Sequence, residues 1–382
     1  MFLKKKILIV TERRADYSKF KPVLDEIKKS KLLSYILVVT GSHLLKKHGY
    51  TINEIKNDGF KISAKFPMYS YNFKDTGGEM VRAFGKSVVE ISKIVEKYNP
   101  DLILSGFDIG ANLAVAIVGA HMNKIVAHIE GGEVSGTIDE SIRHAITKFA
   151  HLHFTTNSNA STRLIKMGEN PQFIFTVGNP SLDSIKKIPK ISKKQVCTLY
   201  NLDSEKPYIV VTMHTVTSEI NKIQNYMKEL IDAIAELGVQ AILIHGNADA
   251  GSSQITKIVK QSKIKEYLSI PFSDYINLLR YSSALVGNSS SGIMETPFLG
   301  VPSVNIGTRQ FGRLHSKSVI DVNYNKSDIK NAIKQAISDK RFLKQIKNQK
   351  NLYGNGTASK KIVKIIEKIN LDKVPIQKRM MY

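Results

Sequence analysis

The sequence predicts an α/β protein of two domains of similar size, each built on a parallel sheet. Three observations carry this. The 382-residue chain exceeds the length at which one hydrophobic core keeps growing, so two domains are the default. From residue 1 to about residue 180, short β-branched runs alternate with amphipathic segments, the signature of parallel strands joined by right-handed crossovers. A second alternation of the same kind begins at YIVVTMH.

In the first half, ILIVTE, LSYILVVTG, ISAKF, DLILSGF, IVAHIE, LHFTTN and FIFTVGN read as strands. Segments 17–29, 78–98, 111–123 and 138–149 read as the helices between them. After GNPSLD, the basic segment IKKIPKISKKQ loses apolar periodicity and reads as a linker. In the second half YIVVTMH, AILIHGN, YLSIPF, ALVGNSSSG and PSVNIG read as strands. The tail ASKKIVKIIEKINL has apolar residues at helical spacing and closes the fold.

The hydrophobic fraction of 42% and charged fraction of 23% are those of an ordinary globular protein. No apolar run reaches the roughly 18 residues of a membrane span. The N-terminus MFLKKKILIV passes straight into a strand with no cleavage-site pattern, so a cytoplasmic protein without a membrane role is expected. The single Cys197 excludes an intramolecular disulfide and cysteine-based zinc spacing, and reads as structural. The net charge of +23 comes from lysines spread along the chain, with no basic run interleaved with aromatics. That speaks against a nucleic-acid partner and stays compatible with a small anion such as a nucleotide diphosphate.

The chemistry concentrates where strands end, the ligand side of an open α/β sheet. The densest stretch is AHIEGGEVSGTIDESIRH, 127–144, in which Glu130, Glu133, Asp139, Glu140 and Arg143 gather around a glycine turn after an apolar strand. Thr137 is positioned to cap the helix that follows. Asp108 ends the preceding strand, so neighbouring tips bring Asp108 and Glu130 within reach of one ligand. In TERRADY, Arg13, Arg14 and Asp16 stand at a helix N-terminus, where an anion is favoured. His214 ends the first strand of the second half, an acid, base or phosphate contact. HGNADAG, with Asn247, is a polar turn after a strand. In GNSSSGIMETP, Ser289, Ser290 and Ser291 open a helix with Glu295 one turn in, suiting a diphosphate and a ribose diol. The stretch matches neither a dinucleotide fingerprint nor a P-loop.

ERRADY, HIEGGEVSGTIDESIRHAITKFAHLHF, VGNPSLD, VTMHTVTSE, HGNADAG, NSSSGIMETPFLGVPSVNIGTRQFGR and SVIDV, in that order over nearly the whole chain, resemble the hydrolysing UDP-N-acetylglucosamine 2-epimerases of sialic-acid-type sugar biosynthesis. The resemblance implies a GT-B architecture: two Rossmann-like domains with parallel sheets, a nucleotide in the interdomain cleft, and a C-terminal helix crossing back to the first domain. It places the first domain at 1–183 with the helix 357–382, and the UDP-binding domain at 184–356. It implies elimination of UDP from UDP-GlcNAc to a 2-acetamidoglucal, then hydration to N-acetylmannosamine, with no cofactor and no metal. A homodimer or homotetramer is implied as well.

Position by position, the resemblance makes Asp108, Glu130, Asp139, Glu140 and His214 the catalytic candidates. Arg14, Arg143, Asn247, Ser289, Ser290, Ser291, Glu295 and Arg313 are its candidates for binding the substrate. One departure stands out. Where the family usually reads Gly-Asp-Arg, an aromatic and a second acid, this chain has Phe107, Asp108, Ile109, Gly110 and Ala111. The loss of an arginine and a carboxylate leaves open a less polar sugar, such as a 6-deoxy-2,4-diacetamido hexose on UDP. A GT-B glycosyltransferase, which requires an acceptor, is the enzymatic alternative.

Overall fold

The computed structural model describes residues 4–70, 73–246, 250–347 and 349–381. The chain forms two compact units, one of Met1–Glu133, Ile138–Ser184 and Tyr353–Tyr382, the other of Val134–Thr137 and Ile185–Leu352.

In the first unit β1 (Lys5–Thr11), α1 (Arg14–Lys29), β2 (Leu33–Val39), α2 (Ile52–Asn57), β3 (Ile62–Lys65), α3 (Gly77–Tyr98), β4 (Leu102–Gly106), α4 (Gly110–His121), β5 (Ile125–Ile129), α5 (Ile138–Phe149), β6 (Leu152–Thr155), α6 (Ser158–Lys166), β7 (Ile174–Thr176) and α7 (Pro180–Lys187) follow in order. All seven strands are parallel, in the order β3-β2-β1-β4-β5-β6-β7. Ile7 to Val10 have no exposed surface. Both faces of such a sheet are covered, which is why its strands read as unbroken apolar runs. The order reverses between β1 and β4, the switch point where ligands gather at strand ends. Gly106 of β4 pairs with Ile129 of β5, so the residues following both strands share one rim.

The second unit contains α8 (Lys193–Leu199), β8 (Tyr208–Thr212), α9 (Ile223–Leu237), β9 (Gln240–Ile244), α10 (Ser252–Val259), β10 (Lys265–Tyr267), α11 (Phe272–Tyr281), β11 (Ala284–Gly287), α12 (Ser291–Met294), α13 (Thr296–Leu299), β12 (Ser303–Ile306), β13 (Val319–Val322), α14 (Lys326–Ser338) and α15 (Lys340–Lys347). Its six strands are ordered β10-β9-β8-β11-β12-β13, the arrangement of the first unit without a seventh strand. The chain then returns to the first unit as α16 (Ala358–Lys368). Its Ile362, Val363 and Ile366 join Phe20, Val23 and Ile27 of α1 in that unit's core. Among the described residues no helix is long and apolar enough to cross a membrane.

Some elements differ from the sequence expectation. The first helix starts at Arg14 rather than 17, because the Asp16 carboxylate accepts the Arg13 and Glu12 N–H groups at 2.9 Å and caps it. The segment read as a linker is irregular over 188–192, while its two ends belong to α7 and α8. Ser192 and Gln195 form a reciprocal capping box that starts α8, and the lone Cys197 is buried in that helix. YLSIPF contributes only Tyr267 to a strand, because Pro271 already caps α11. SVIDV supplies the edge strand β13, whose partly exposed residues gave no apolar run.

Candidate active site

Phe107 and Glu130 follow directly on β4 and β5, and both hold left-handed backbone, with φ of 71° and 66°. Residues with a Cβ avoid this region at a cost of roughly 1–3 kcal/mol unless the surroundings fix it. Here the Phe107 N–H donates to Ile129 C=O and the Glu130 N–H to Phe154 C=O, each at 3.0 Å.

Each tip carboxylate meets cations from other elements. Asp108 accepts from Arg143 Nη2, and Arg13 Nη2 stands 3.6 Å from its other oxygen. Arg143 is fully buried, and its Nη1 donates to Glu133 C=O at 3.2 Å. The buried Glu130 pairs with Lys19, whose Nζ lies 2.8 Å from Oε1 and 3.0 Å from Oε2. The same ammonium sits 4.5 Å from the centroid of the Phe107 ring, a favourable cation–π distance.

The glycine loop is tightly built. A Cβ on Gly132, whose φ is +80°, would fall 2.3 Å from Ala160 C=O, so only glycine fits. Arg163 Nη1 donates to Gly132 C=O. Glu133 is buried and accepts from the Thr156 hydroxyl and, at 2.6 Å, from Asn157 Nδ2. Its carboxylate is therefore engaged in fixing the loop. Asp139 and Glu140 occupy the first turn of α5, which starts one residue after Thr137. Asp139 precedes Arg143 by four residues and so shares its face. Glu140 Oε1 lies 3.6 Å from His144 Nε2; burial lowers the pKa of that imidazole, with Glu140 opposing.

Around TERRADY, Arg14 is half-buried at the start of α1. Glu12 is buried beneath it in sequence, with Oε1 accepting from the Tyr69 hydroxyl at 3.0 Å and Oε2 from the Ala111 N–H at 2.9 Å. That carboxylate sits on the N-terminal turn of α4, where a negative charge is favoured. Asp16 also accepts from the Thr11 hydroxyl at 3.0 Å, and burial pushes its carboxyl up to about 7. His43 is buried between the hydroxyls of Thr11 (3.0 Å) and Thr51 (2.6 Å), and burial pulls it down to about 3. His128 is buried between Thr147 Oγ1 (3.2 Å) and Phe107 C=O (3.4 Å); burial holds its pKa well below the ordinary value.

In the second unit, His214 follows β8 and is buried. Its N–H donates to Asn288 Oδ1 at 2.7 Å, and Asn288 Nδ2 returns a bond to its C=O at 2.9 Å. The Asn288 carbonyl accepts from Arg309 Nη1 (3.1 Å) and Gln310 Nε2 (2.8 Å). Arg313 is buried, donating from Nε to Val134 C=O at 3.0 Å and from Nη1 to Gln310 at 2.9 Å. Ser289 and Ser290 are half-buried, Ser291 and Glu295 buried, and the Ser291 N–H donates to Ser289 Oγ at 3.3 Å. The serines open α12, a four-residue helix followed directly by Glu295, and Pro297 lies in the first turn of α13. Asn247 lies outside the described residues.

The structure thus joins Asp108 with Arg143 and Arg13, and Glu130 with Lys19 and Phe107. Lys19 and Glu12 were not singled out from the sequence. For Lys19 a signal existed, since it stands three residues after Asp16 on α1 and so shares its face. Cations from α5 and from the residue preceding α1 thus approach the Asp108 carboxylate together.

Two parallel-sheet α/β units, with polar and acidic or basic side chains collected at strand ends, define a protein of GT-B-like fold. A family profile described as UDP-N-acetylglucosamine 2-epimerase matches residues 25–367, and the chain belongs to that family. It is 36% identical over 341 residues to a UDP-N-acetylglucosamine 2-epimerase of Neisseria meningitidis serogroup B, covering 88% of this chain and 89% of the relative. It is 33% identical over 373 residues to the hydrolysing UDP-N,N'-diacetylbacillosamine 2-epimerase of Legionella pneumophila, covering 96% of this chain and 97% of the relative. Its fold matches a crystal structure of UDP-GlcNAc 2-epimerase from Neisseria meningitidis bound to UDP-GlcNAc, with a TM-score of 0.83 at 18% identity over 95% of this chain and all of the other.

Proposed function

We propose that the chain is a hydrolysing 2-epimerase that converts UDP-GlcNAc and water to N-acetylmannosamine and UDP. One carboxylate removes the C2 proton while the C1–O bond breaks and its electrons leave with UDP, giving 2-acetamidoglucal. Water then adds, oxygen to C1 and a proton to C2 from the opposite face. The observation that carries this is the pair of strand-tip carboxylates, Asp108 and Glu130, each matched by a fixed cation. Such a pair supports proton removal and return with little reorganisation. Asp139, Glu140 and Arg143 complete the sugar side. Arg14, His214, Asn247, Ser289, Ser290, Ser291, Glu295 and Arg313 hold UDP, His214 also serving the departing oxygen. The enzyme is expected in the cytoplasm as a homodimer or homotetramer.

A second substrate is favoured by a specific observation. Phe107, Ile109 and Ala111 are buried apolar groups beside Asp108, which suits a 6-deoxy-2,4-diacetamido sugar on UDP. The Legionella relative is named for such chemistry. Incubation with each UDP-sugar in deuterated water, followed by NMR, tests both. UDP and a C2-deuterated free 2-epimer are expected. A UDP-linked epimer without free UDP would show a non-hydrolysing reaction, and turnover that requires an acceptor would show a glycosyltransferase.

A further inference from the structure

The C-terminal segment after α16 forms a clip on the far end of α5, and nothing in the chemistry above employs it. Glu169 is buried and receives three donors from three different elements: His153 Nε2 of β6 at 3.1 Å, Lys148 Nζ of α5 at 3.0 Å and Lys378 Nζ of the tail at 2.6 Å. Burial opposes its charge, but the bonds from His153 and Lys378 pull its carboxyl down to about 2. Lys378 does more than neutralise it. Its ammonium also donates to the carbonyls of Thr147 (3.0 Å) and Lys148 (3.1 Å). These belong to the last turn of α5, where carbonyls lack helical partners and a cation is favoured.

The tail is fastened on both sides of Lys378. Ile376 C=O bonds His151 Nε2 at 3.0 Å, and the Met381 N–H donates to Gly168 C=O at 2.9 Å. Val374 is buried in the core. Meanwhile α5 carries Asp139, Glu140 and Arg143 at and near its other end. An α-helix rises roughly 1.5 Å per residue, so its two ends cannot shift independently along the axis. Arg143 fixes α5 against Asp108 and Glu133, and Lys378 fixes its last turn.

We propose that Lys378 and Glu169 are positioning residues for the reaction, a charged clip by which the C-terminal tail sets the axial register of α5. The inference rests on the proposed role of the α5 residues at the sugar. The clip touches no substrate, so it acts on the chemical step through Asp139, Glu140 and Arg143. A displacement of about 1 Å at reacting groups costs on the order of a hundredfold in rate.

The test uses the full-length chain with Lys378→Met, Lys378→Arg and Glu169→Gln. Steady-state UDP release is measured at a temperature where circular dichroism shows each variant folded, with amide hydrogen exchange followed across 138–149. Lys378→Met is expected to lower kcat by about tenfold or more with KM changed by less than about threefold, and to speed exchange in α5. Lys378→Arg, which keeps the charge and donors, is expected to restore most of kcat. Should Lys378→Met fail to fold, Lys378→Gln, which keeps a donor for the two carbonyls, takes its place under the same criteria. A folded variant with wild-type kcat and unchanged α5 exchange overturns the proposal, even if its melting temperature falls. So does a Lys378→Arg variant no better than Lys378→Met. Failure of the wild type to release UDP would instead overturn the proposed function, while α5 exchange would still report on the clip.

Discussion

Lys19 Nζ stands 2.8 Å from Glu130 Oε1 and 4.5 Å above the ring of Phe107, so one cation holds together the tips of two neighbouring strands. Glu130 is almost entirely buried. Removing one member of a buried pair leaves an uncompensated charge, at a cost of about 3 kcal/mol or more. Lys19→Met is therefore expected to lower unfolding free energy by about that amount. Lys19→Met/Glu130→Gln should lose clearly less than the sum of the single changes. Urea titrations of the four proteins give the cycle, and strict additivity would show that the two groups do not stabilise one another.

Glu130→Gln preserves shape and hydrogen bonding while removing the carboxylate. For a proton-transfer group the expected loss in kcat is about 10²–10⁴-fold. UDP affinity, measured by calorimetry, should stay close to that of the wild type, because Glu130 is not among the residues assigned to the nucleotide. Wild-type turnover in this variant would remove Glu130 from the catalytic set.

How far these features were legible depends on whether the signal is local. The runs ending at Gly106 and Ile129 are mostly apolar and buried throughout, so β4 and β5, and the tip positions of Asp108 and Glu130, could be read from the chain. The left-handed turns at Phe107 and Glu130 could not, because no glycine marks them and bonds from Ile129 and Phe154 impose them. The partners of Arg143 and Lys19 are likewise set by tertiary packing. Other gaps did have local signals. Ser192 and Gln195 spell a capping box inside a segment read as linker, and Pro271 marks the start of α11 inside a segment read as strand.

Arg143 uses its fork to reach the Asp108 carboxylate and the Glu133 carbonyl together. A lysine keeps the charge but offers a single ammonium without that planar geometry. Arg143→Lys should therefore leave one buried acceptor unsatisfied, costing about 1–3 kcal/mol, and lower kcat more than it raises KM. Denaturation and steady-state kinetics measure the two effects. Unchanged values of both would mean that charge alone suffices at this position.

A Cβ on Gly246 would lie 2.6 Å from His214 Nδ1. That separation is below any real contact, so Gly246→Ala must push the imidazole aside. Since the proposed role of His214 is at the diphosphate, UDP affinity is expected to fall by about tenfold, roughly 1.4 kcal/mol. Calorimetric titration with UDP decides it, and unaltered affinity would place His214 away from the nucleotide.

Acid should unfold this protein through histidines that cannot charge while buried. Burial pulls His43 down to about 3 and holds His128 well below the ordinary value of 6.5. Both titrate normally once the chain unfolds, so the unfolded state binds more protons than the native state below pH 6.5. Their contribution to stability is thus present above that pH and is lost as pH falls towards the native pKa. For each, the slope approaches about 1.4 kcal/mol per pH unit. Urea midpoints measured from pH 7.5 to 5 should fall steadily below about pH 6.5, with proton uptake on unfolding. Replacing His43 by Asn, which retains hydrogen-bonding capacity towards Thr11 and Thr51, should flatten that slope. A slope identical to that of the wild type would mean that His43 is charged in the folded protein.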